Sequence, residues 1–333
     1  MTVTIREVAD AAGVSTATVS RALSGVQTVD PELVERVRRS AESLGYRANR
    51  VARALRRQST QTIGVIVPDI TNPFFPTVVQ AVERELRQGG LSLLLCDAGN
   101  DVVIEAELVR NMFDHQVDGL LISACDRTAS QPALELAAGR MPLLQVGRQI
   151  VADLPYVGVD HTDTMSQVVE HLTGAGCRSF GYVGLDSGAT LAGERLEAFL
   201  ALVRPLDPAA PDRTYLGGHS IAWGREAAER MLASGPLPDA IVCASDDAAA
   251  GALQVLRERG VRVPDDVVLT GFGDTVVAEA SEPQLTSVRQ PLEEVGVQAV
   301  AALRAAISTG QPPRSAVLKA TLVARDSTKR PAA

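Results

Sequence analysis

The stretch TIREVADAAGVSTATVSRALSG, residues 4–25, carries two short helical patterns separated by one glycine. Thr4 and Glu7 have the spacing of a capping box, which predicts the start of a helix between them. Gly13 predicts the end of that helix, and Ser15 is a suitable N-cap for a second one. Two short helices joined by a turn that contains glycine predict a helix-turn-helix.

The second helix has a small, hydrogen-bonding surface, because its only large apolar residues are Val19 and Leu23. In a helix-turn-helix this helix enters the DNA major groove, where short side chains let the backbone approach the base edges. A purely structural three-helix domain is the alternative. The residues of this region that we predict to contact DNA are Thr4, Ser15, Thr16, Ala17, Thr18, Ser20 and Arg21.

A third helix is predicted after Asp30, because an N-cap residue is followed there by proline at the first helical position. Gly45 is predicted to end it. Its apolar residues recur with helical spacing and form the predicted core face. These residues are Val34, Val37, Ala41 and Leu44.

The charge of the chain is divided unevenly. The net charge is −8, yet residues 1–59 contain ten arginines and six acidic residues, a balance of +4. The remainder therefore has a balance of −12. A basic segment attached to an acidic body indicates a module that binds a polyanion, with a merely solvated helical face as the alternative.

The opening stretch is followed by VERVRRSAESLGYRANRVARALRR, residues 34–57, and together the two resemble the LacI/GalR family. The shared motifs are V-S-x-x-T-V-S-R, L-G-Y and N-R-x-A-x-x-L, in that order, and the resemblance extends from residue 3 to about 327. It implies a bacterial transcriptional regulator, most often a repressor. Such a regulator binds pseudo-palindromic operator DNA as a homodimer and needs no cofactor.

The resemblance also divides the chain into a helix-turn-helix domain (1–48), a hinge helix with a linker (49–60) and a two-lobed body (61–333). In the family the hinge helix folds on DNA, enters the minor groove and inserts a leucine between base pairs. That leucine corresponds to Leu55. The hinge residues implied to contact DNA are Asn49, Arg50, Ala52, Arg53, Leu55 and Arg56.

The body alternates short apolar runs with longer amphipathic ones, which predicts parallel β-sheets with helices on both faces. Helices are predicted at 76–88 and 163–174, among others. The predicted strands are 62–67, 91–96, 119–122, 143–146, 156–159, 179–183, 240–243, 267–271, 285–288 and 317–322. The resemblance implies a fold similar to periplasmic sugar-binding proteins, with three crossings between lobes near 161–162, 290–291 and 320. The lobes would comprise about 61–161 with 291–320, and about 162–290 with 321–327.

A small-molecule effector is expected in the cleft between the lobes, outside the carboxyl ends of the strands. Aromatic rings can stack on a sugar or purine, and an arginine can bind a hydroxyl, carbonyl or carboxylate. Combined with the family resemblance, strand-end positions give the predicted effector-binding residues. These are Phe74, Phe75, Arg148, Asp160, Arg195, His219, Ser245, Asp246 and Gln290.

Some positions depart from the family pattern. Gly273 stands where relatives often have an aspartate that binds the ligand, and His219 stands where others have an aromatic residue. The cleft thus loses a carboxylate but keeps three basic side chains, Arg148, Arg195 and His219. This predicts an anionic effector, such as a sugar acid or sugar phosphate. Ala189 and Leu191 replace polar contacts of purine-responsive relatives. A regulator that responds to a purine or to a protein corepressor remains the alternative.

Other classes of protein are disfavoured. The four histidines accompany no recognisable catalytic or nucleotide-binding motif, so an enzyme is not expected. A periplasmic solute-binding protein would have a similar body, but the N-terminus lacks an apolar signal core. No apolar run is long enough to cross a membrane, so a cytoplasmic protein is expected. The four cysteines are widely separated and predict neither a disulfide nor a metal site.

Overall fold

The structure is a computed structural model. It describes residues 3–23, 30–46, 59–185 and 191–330, and for residues 191 and 192 it describes the backbone alone. The chain forms two compact units, residues 1–60 and 61–333. The predicted hinge contacts at 49–56, with Leu55 among them, lie outside the described residues.

The first unit contains three helices, α1 (Ile5–Ala12), α2 (Thr16–Leu23) and α3 (Pro31–Ser43). The predicted capping box at Thr4 is confirmed, and Gly13 ends α1 in the left-handed region with φ 64°. The predicted N-cap at Asp30 is also confirmed, since its carboxylate accepts hydrogen bonds from two backbone N–H groups of the first turn. The three helices pack around a small core of Val8, Ala9, Ala12, Val19, Ala22, Val37 and Ala41.

The predicted core face of α3 is wrong at its last residue. Leu44 is 37% exposed, and the helix ends one residue before it. Gly45 then takes a positive φ of 65°, and the N–H of Tyr46 donates to the carbonyl of Ala41. This turn reverses the chain, so that Tyr46 packs against the core.

The second unit contains a six-stranded parallel sheet with the strand order β11-β5-β4-β3-β1-β2. Its side chains are apolar on both faces, because helices cover both. We call this sheet and its helices the N-lobe. Its strands are β1 (Thr62–Val67), β2 (Ser92–Asp97), β3 (Gly119–Ile122), β4 (Leu143–Val146), β5 (Tyr156–Val159) and β11 (Ala316–Leu318).

A four-stranded parallel sheet, in the order β7-β6-β8-β9, forms the centre of the C-lobe. Its strands are β6 (Phe180–Leu185), β7 (Thr214–Gly217), β8 (Ala240–Cys243) and β9 (Val268–Thr270). Strand β7 was not predicted from the sequence. This short strand is half-buried to exposed, so it lacks the apolar run that marks its neighbours.

One predicted strand, 317–322, is divided in the structure. Its first part belongs to β11, whereas its second part belongs to β12 (Thr321–Val323), which pairs antiparallel with β10 (Ser287–Arg289). The chain leaves the N-lobe between these two strands. The division follows from this crossing, because no single strand can continue in both sheets.

Helices surround both sheets. They are α4 (Phe74–Gln88), α5 (Val102–Asp114), α6 (Gln131–Ala138), α7 (His161–Gly174), α8 (Leu191–Val203), α9 (Ile221–Ser234), α10 (Asp246–Glu258), α11 (Val276–Ala280) and α12 (Leu292–Thr309). Among the described residues, no helix is long and apolar enough to cross a membrane.

Candidate functional site

A cavity of about 480 Å³ opens between the two lobes, at the carboxyl ends of their strands. The N-lobe contributes the start of α4, and the C-lobe contributes the loops that follow β8 and β9. Two crossing segments contribute His161 and Gln290. A cleft at this position, shared by two lobes, is the usual ligand site of open parallel sheets.

Six of the nine predicted effector-binding residues line this cavity. They are Phe74, Arg195, His219, Ser245, Asp246 and Gln290.

The structure places the other three elsewhere. Phe75 is 2% exposed and packs in the core, because neighbouring helical residues point in different directions. Arg148 is buried, and its Nη1 donates to the backbone carbonyls of Ala124 and Cys125. Asp160 accepts from the N–H of Asp163 and serves as the N-cap of α7.

Arg195 is the most deeply buried cation of the cavity wall. Its guanidinium carbon lies 4.2 Å from the ring centroid of Phe272, and its Nη1 donates to the carbonyl of Ala244 at 3.0 Å. Burial lowers the pKa of Arg195. Its Nε has no hydrogen-bond partner among the described residues, and no described carboxylate forms an ion pair with it. The cavity therefore contains a buried guanidinium that no described carboxylate pairs with directly, although the charge of the neighbouring Glu194 offsets part of the effect of burial on its pKa.

The start of α10 forms another part of the wall. Ser245 caps this helix by accepting from the N–H of Ala248 at 3.1 Å, and its hydroxyl donates to the carbonyl of His219 at 2.7 Å. One side chain thus fixes both the helix start and the segment that carries His219. Asp246 accepts from the Ser287 hydroxyl and the Thr275 N–H, while burial raises its pKa.

The loop after β9 holds an ion-pair cluster. Asp274 lines the cavity, but its carboxylate bridges Arg289 and Arg325. Both carboxylate oxygens already have an arginine partner, so Asp274 is not a free ligand-binding acid. Gly273 precedes it with φ 124°, a conformation that favours glycine.

Several wall residues were not predicted from the sequence, and His161 and Phe272 are two of them. Each directly follows, or nearly follows, a strand whose position was predicted. The strand-end rule could therefore have found both, had it been applied to every strand of the two sheets.

In the helix-turn-helix unit, most of the predicted DNA contacts are accessible to solvent. Ser15, Thr16, Ala17 and Arg21 are exposed, and Thr18 and Ser20 are half-buried. Ser15 accepts from the Thr18 N–H at 3.1 Å and forms the N-terminal cap of α2. Thr4 is exposed, but as the N-cap of α1 it already hydrogen-bonds the carboxylate of Glu7.

A helix-turn-helix unit followed by a two-lobed α/β body with an interlobe cavity defines a class of protein, the DNA-binding regulators with a periplasmic-binding-protein-like body. Residues 4–49 match the family model of bacterial regulatory proteins of the lacI family, and residues 169–328 match that of the periplasmic binding protein-like domain.

Two relatives align with most of this chain. The HTH-type transcriptional regulator GntR of Pseudomonas aeruginosa is 35% identical over 98% of this chain and 95% of its own length. The ribose operon repressor of Halalkalibacterium halodurans is 30% identical over 88% of this chain and 87% of its own. The protein belongs to the LacI family of bacterial transcriptional regulators and is a DNA-binding regulator, not an enzyme.

Solved structures agree with this assignment. The lac repressor dimer bound to operator and the anti-inducer ONPF has a TM-score of 0.89 and 26% identity, over 98% of this chain and 99% of that one. The transcriptional regulator CelR in complex with cellobiose has a TM-score of 0.73 and 30% identity, over 98% and 99%. The predicted family and fold class are therefore confirmed.

Proposed function

We propose that the protein is a repressor that binds a pseudo-palindromic operator as a homodimer and is controlled by a sugar-derived anion in the interlobe cavity. The structural neighbour CelR holds cellobiose, and the lac repressor dimer holds operator and ONPF. The cavity of about 480 Å³ is within the range typical of small-molecule sites.

The observation that carries the anionic effector is the buried guanidinium of Arg195, which forms no direct ion pair with any described carboxylate. Burying an unpaired charge is costly unless a ligand supplies the opposite charge. The other charges of the wall are differently placed. Asp274 is neutralised by two arginines, Glu293 is an exposed partner of Arg84, and Asp246 accepts hydrogen bonds from Ser287 and Thr275. Asp247, in the first turn of α10, is the fourth acidic residue of the wall. A single unpaired guanidinium matches a monoanionic carboxylate better than a dianionic phosphate, so we favour a sugar acid.

Arg148, a basic residue that favoured an anion in the sequence, does not line the cavity. The anionic effector therefore rests on Arg195, with His219 as a polar neighbour in the wall. Effector binding would change the relative stability of the DNA-competent and DNA-incompetent states. A coupling free energy of about 1–3 kcal/mol is typical and gives regulation of roughly 5–150-fold.

A two-part experiment tests this function. Gel shifts with DNA from upstream of the protein's own gene establish operator binding. Calorimetry then compares aldoses with the corresponding aldonic acids and with sugar phosphates. We expect an aldonic acid to bind more tightly than its parent aldose and to change operator affinity. Tight binding of the neutral aldose alone would overturn the anionic effector.

The Arg195→Ala variant should lose the response to effector while keeping operator affinity. Arg204, exposed in the turn directly after the same helix α8, provides a control as Arg204→Ala. Loss of effector response in both variants would contradict a specific role for Arg195. Loss of operator binding in Arg195→Ala would show that the substitution disturbs the fold.

A further inference from the structure

His161 occupies the first crossing between the lobes. It is the first residue of α7 and comes two positions after β5, which lies in the N-lobe sheet. The helix that follows packs on α8 and on β12, which belong to the C-lobe side of the cavity. A ligand that contacts His161 therefore contacts the segment that connects the two lobes.

The imidazole of His161 is buried, with 7% of the residue exposed, and it lines the cavity. Neither ring nitrogen has a hydrogen-bond partner among the described residues. Its ring centroid lies 6.4 Å from that of Phe272, on which Arg195 stacks. Two unpaired polar atoms at one buried side chain are rare, because each retains its desolvation cost until a partner is supplied.

The protonation state of the ring defines the partner that it needs. Burial, followed by the positive charge of Arg195, lowers the pKa of His161 to about 3. A neutral imidazole has one N–H donor and one acceptor nitrogen. It cannot supply a positive charge to an anion. Instead it matches ligand groups that both donate and accept, which is the property of hydroxyl groups.

A metal ion would be another occupant for a free imidazole. However, no group of three or more metal-ligating side chains occurs in the part of the chain that the structure describes. Metal sites in proteins require several such ligands. The cavity that His161 lines also contains aromatic rings, a guanidinium, carboxylates and amide and hydroxyl groups, a mixture of donors and acceptors that suits a polyhydroxylated molecule.

We propose that His161 is an effector-contacting residue that hydrogen-bonds the hydroxyl groups of the ligand and transmits occupancy to the interlobe crossing. This proposal rests on the proposed function of the cavity. It assigns the two ends of one ligand to different groups. Arg195 binds the carboxylate, and His161 binds the hydroxyls, so that His161 determines affinity for the polyol part.

The chain contains only four histidines, which makes nitrogen-15 NMR of histidine-labelled protein a direct measurement. The probes are D-glucose, D-galactose and D-ribose with their aldonic acids, at pH 7. We expect a bound probe to shift both ring resonances of His161, assigned with the His161→Asn variant. The resonances of His115, which is exposed on the N-lobe at the end of α5, should not move.

Two substitutions separate hydrogen bonding from shape. His161→Phe keeps a planar ring against Phe272 but removes both nitrogens, and it should weaken binding of the same probe roughly 10-fold or more. His161→Asn keeps one donor and one acceptor, and it should retain more affinity than the Phe variant. His115→Phe is the control and should bind as the wild type does.

The outcomes distinguish this proposal from the one on which it rests. Suppose that a probe binds, that Arg195→Ala abolishes binding, and that His161→Phe binds as tightly as the wild type with unmoved His161 resonances. The role of His161 is then overturned, while the effector site stands. If no probe binds at all, the sugar-acid effector and the role of His161 are overturned together.

Discussion

The two ion pairs of Asp274, with Arg289 and with Arg325, allow a stability prediction in which one pair serves as a control for the other. Asp274 is buried, with 2% of its side chain exposed, and it bridges two arginines of very different exposure. Arg325 is 10% exposed and pairs at 2.6 Å, whereas Arg289 is 60% exposed. Asp274→Asn is the chosen change, because asparagine tolerates the positive φ of 51° at this position.

The two pairs should contribute unequally. Removing one partner of a buried ion pair costs about 3–5 kcal/mol, whereas an exposed pair is worth about 0–1 kcal/mol. Asp274→Asn keeps an acceptor oxygen for Arg325, so we expect the lower end, about 3 kcal/mol. Arg289→Gln should cost less than about 1 kcal/mol, because the pair that it removes has an exposed arginine and Asp274 keeps Arg325 as its partner.

Urea unfolding followed by tryptophan fluorescence measures these values. The only tryptophan of the chain, Trp223, lies in α9 of the C-lobe, the lobe that holds the cluster. The reasoning is refuted if Arg289→Gln destabilises the C-lobe as much as Asp274→Asn does. An Asp274→Asn variant that keeps wild-type stability but loses effector affinity would instead make Asp274 a ligand-binding acid.

Four other predictions concern the cavity, the C-lobe and the DNA. Ser245→Ala should cost about 1 kcal/mol of C-lobe stability in urea, the usual value of a lost N-cap, and Ser245→Asn should restore most of it. Gly224→Ala should destabilise by more than about 3 kcal/mol in the same assay, because a Cβ there would lie 2.0 Å from the Ala248 carbonyl oxygen. Between pH 6.5 and about 3 only the unfolded chain protonates His161, so stability rises with pH across this window. Lowering the pH from 7 to 5 should therefore cost the wild type about 2 kcal/mol more than His161→Phe, measured by urea unfolding at both values. Operator affinity should fall steeply and log-linearly with salt in a binding titration, since phosphate contacts release counterions, and a flat dependence would contradict the basic surface as the DNA-binding face.

The sequence by itself determined the features that depend on neighbouring residues. The capping box at Thr4 and the N-caps at Ser15 and Asp30 are local patterns of a few residues, and all occur in the structure. The buried strands Thr62–Val67 and Gly119–Ile122 were predicted with their observed bounds, because a continuous apolar run flanked by polar residues marks a strand of a covered parallel sheet. The order of strands and helices was enough to predict the fold class.

Only the tertiary structure decided which side chains meet in the cavity. Helices α4 and α7 begin two residues earlier than predicted, and these extra residues place Phe74 and His161 at the wall. Arg148 follows a strand end as a wall residue should, yet it is held by backbone carbonyls away from the cavity. Asp274 pairs with Arg325, a residue 51 positions further along the chain. Such pairings depend on how two sheets are brought together, and no local pattern in the chain specifies them.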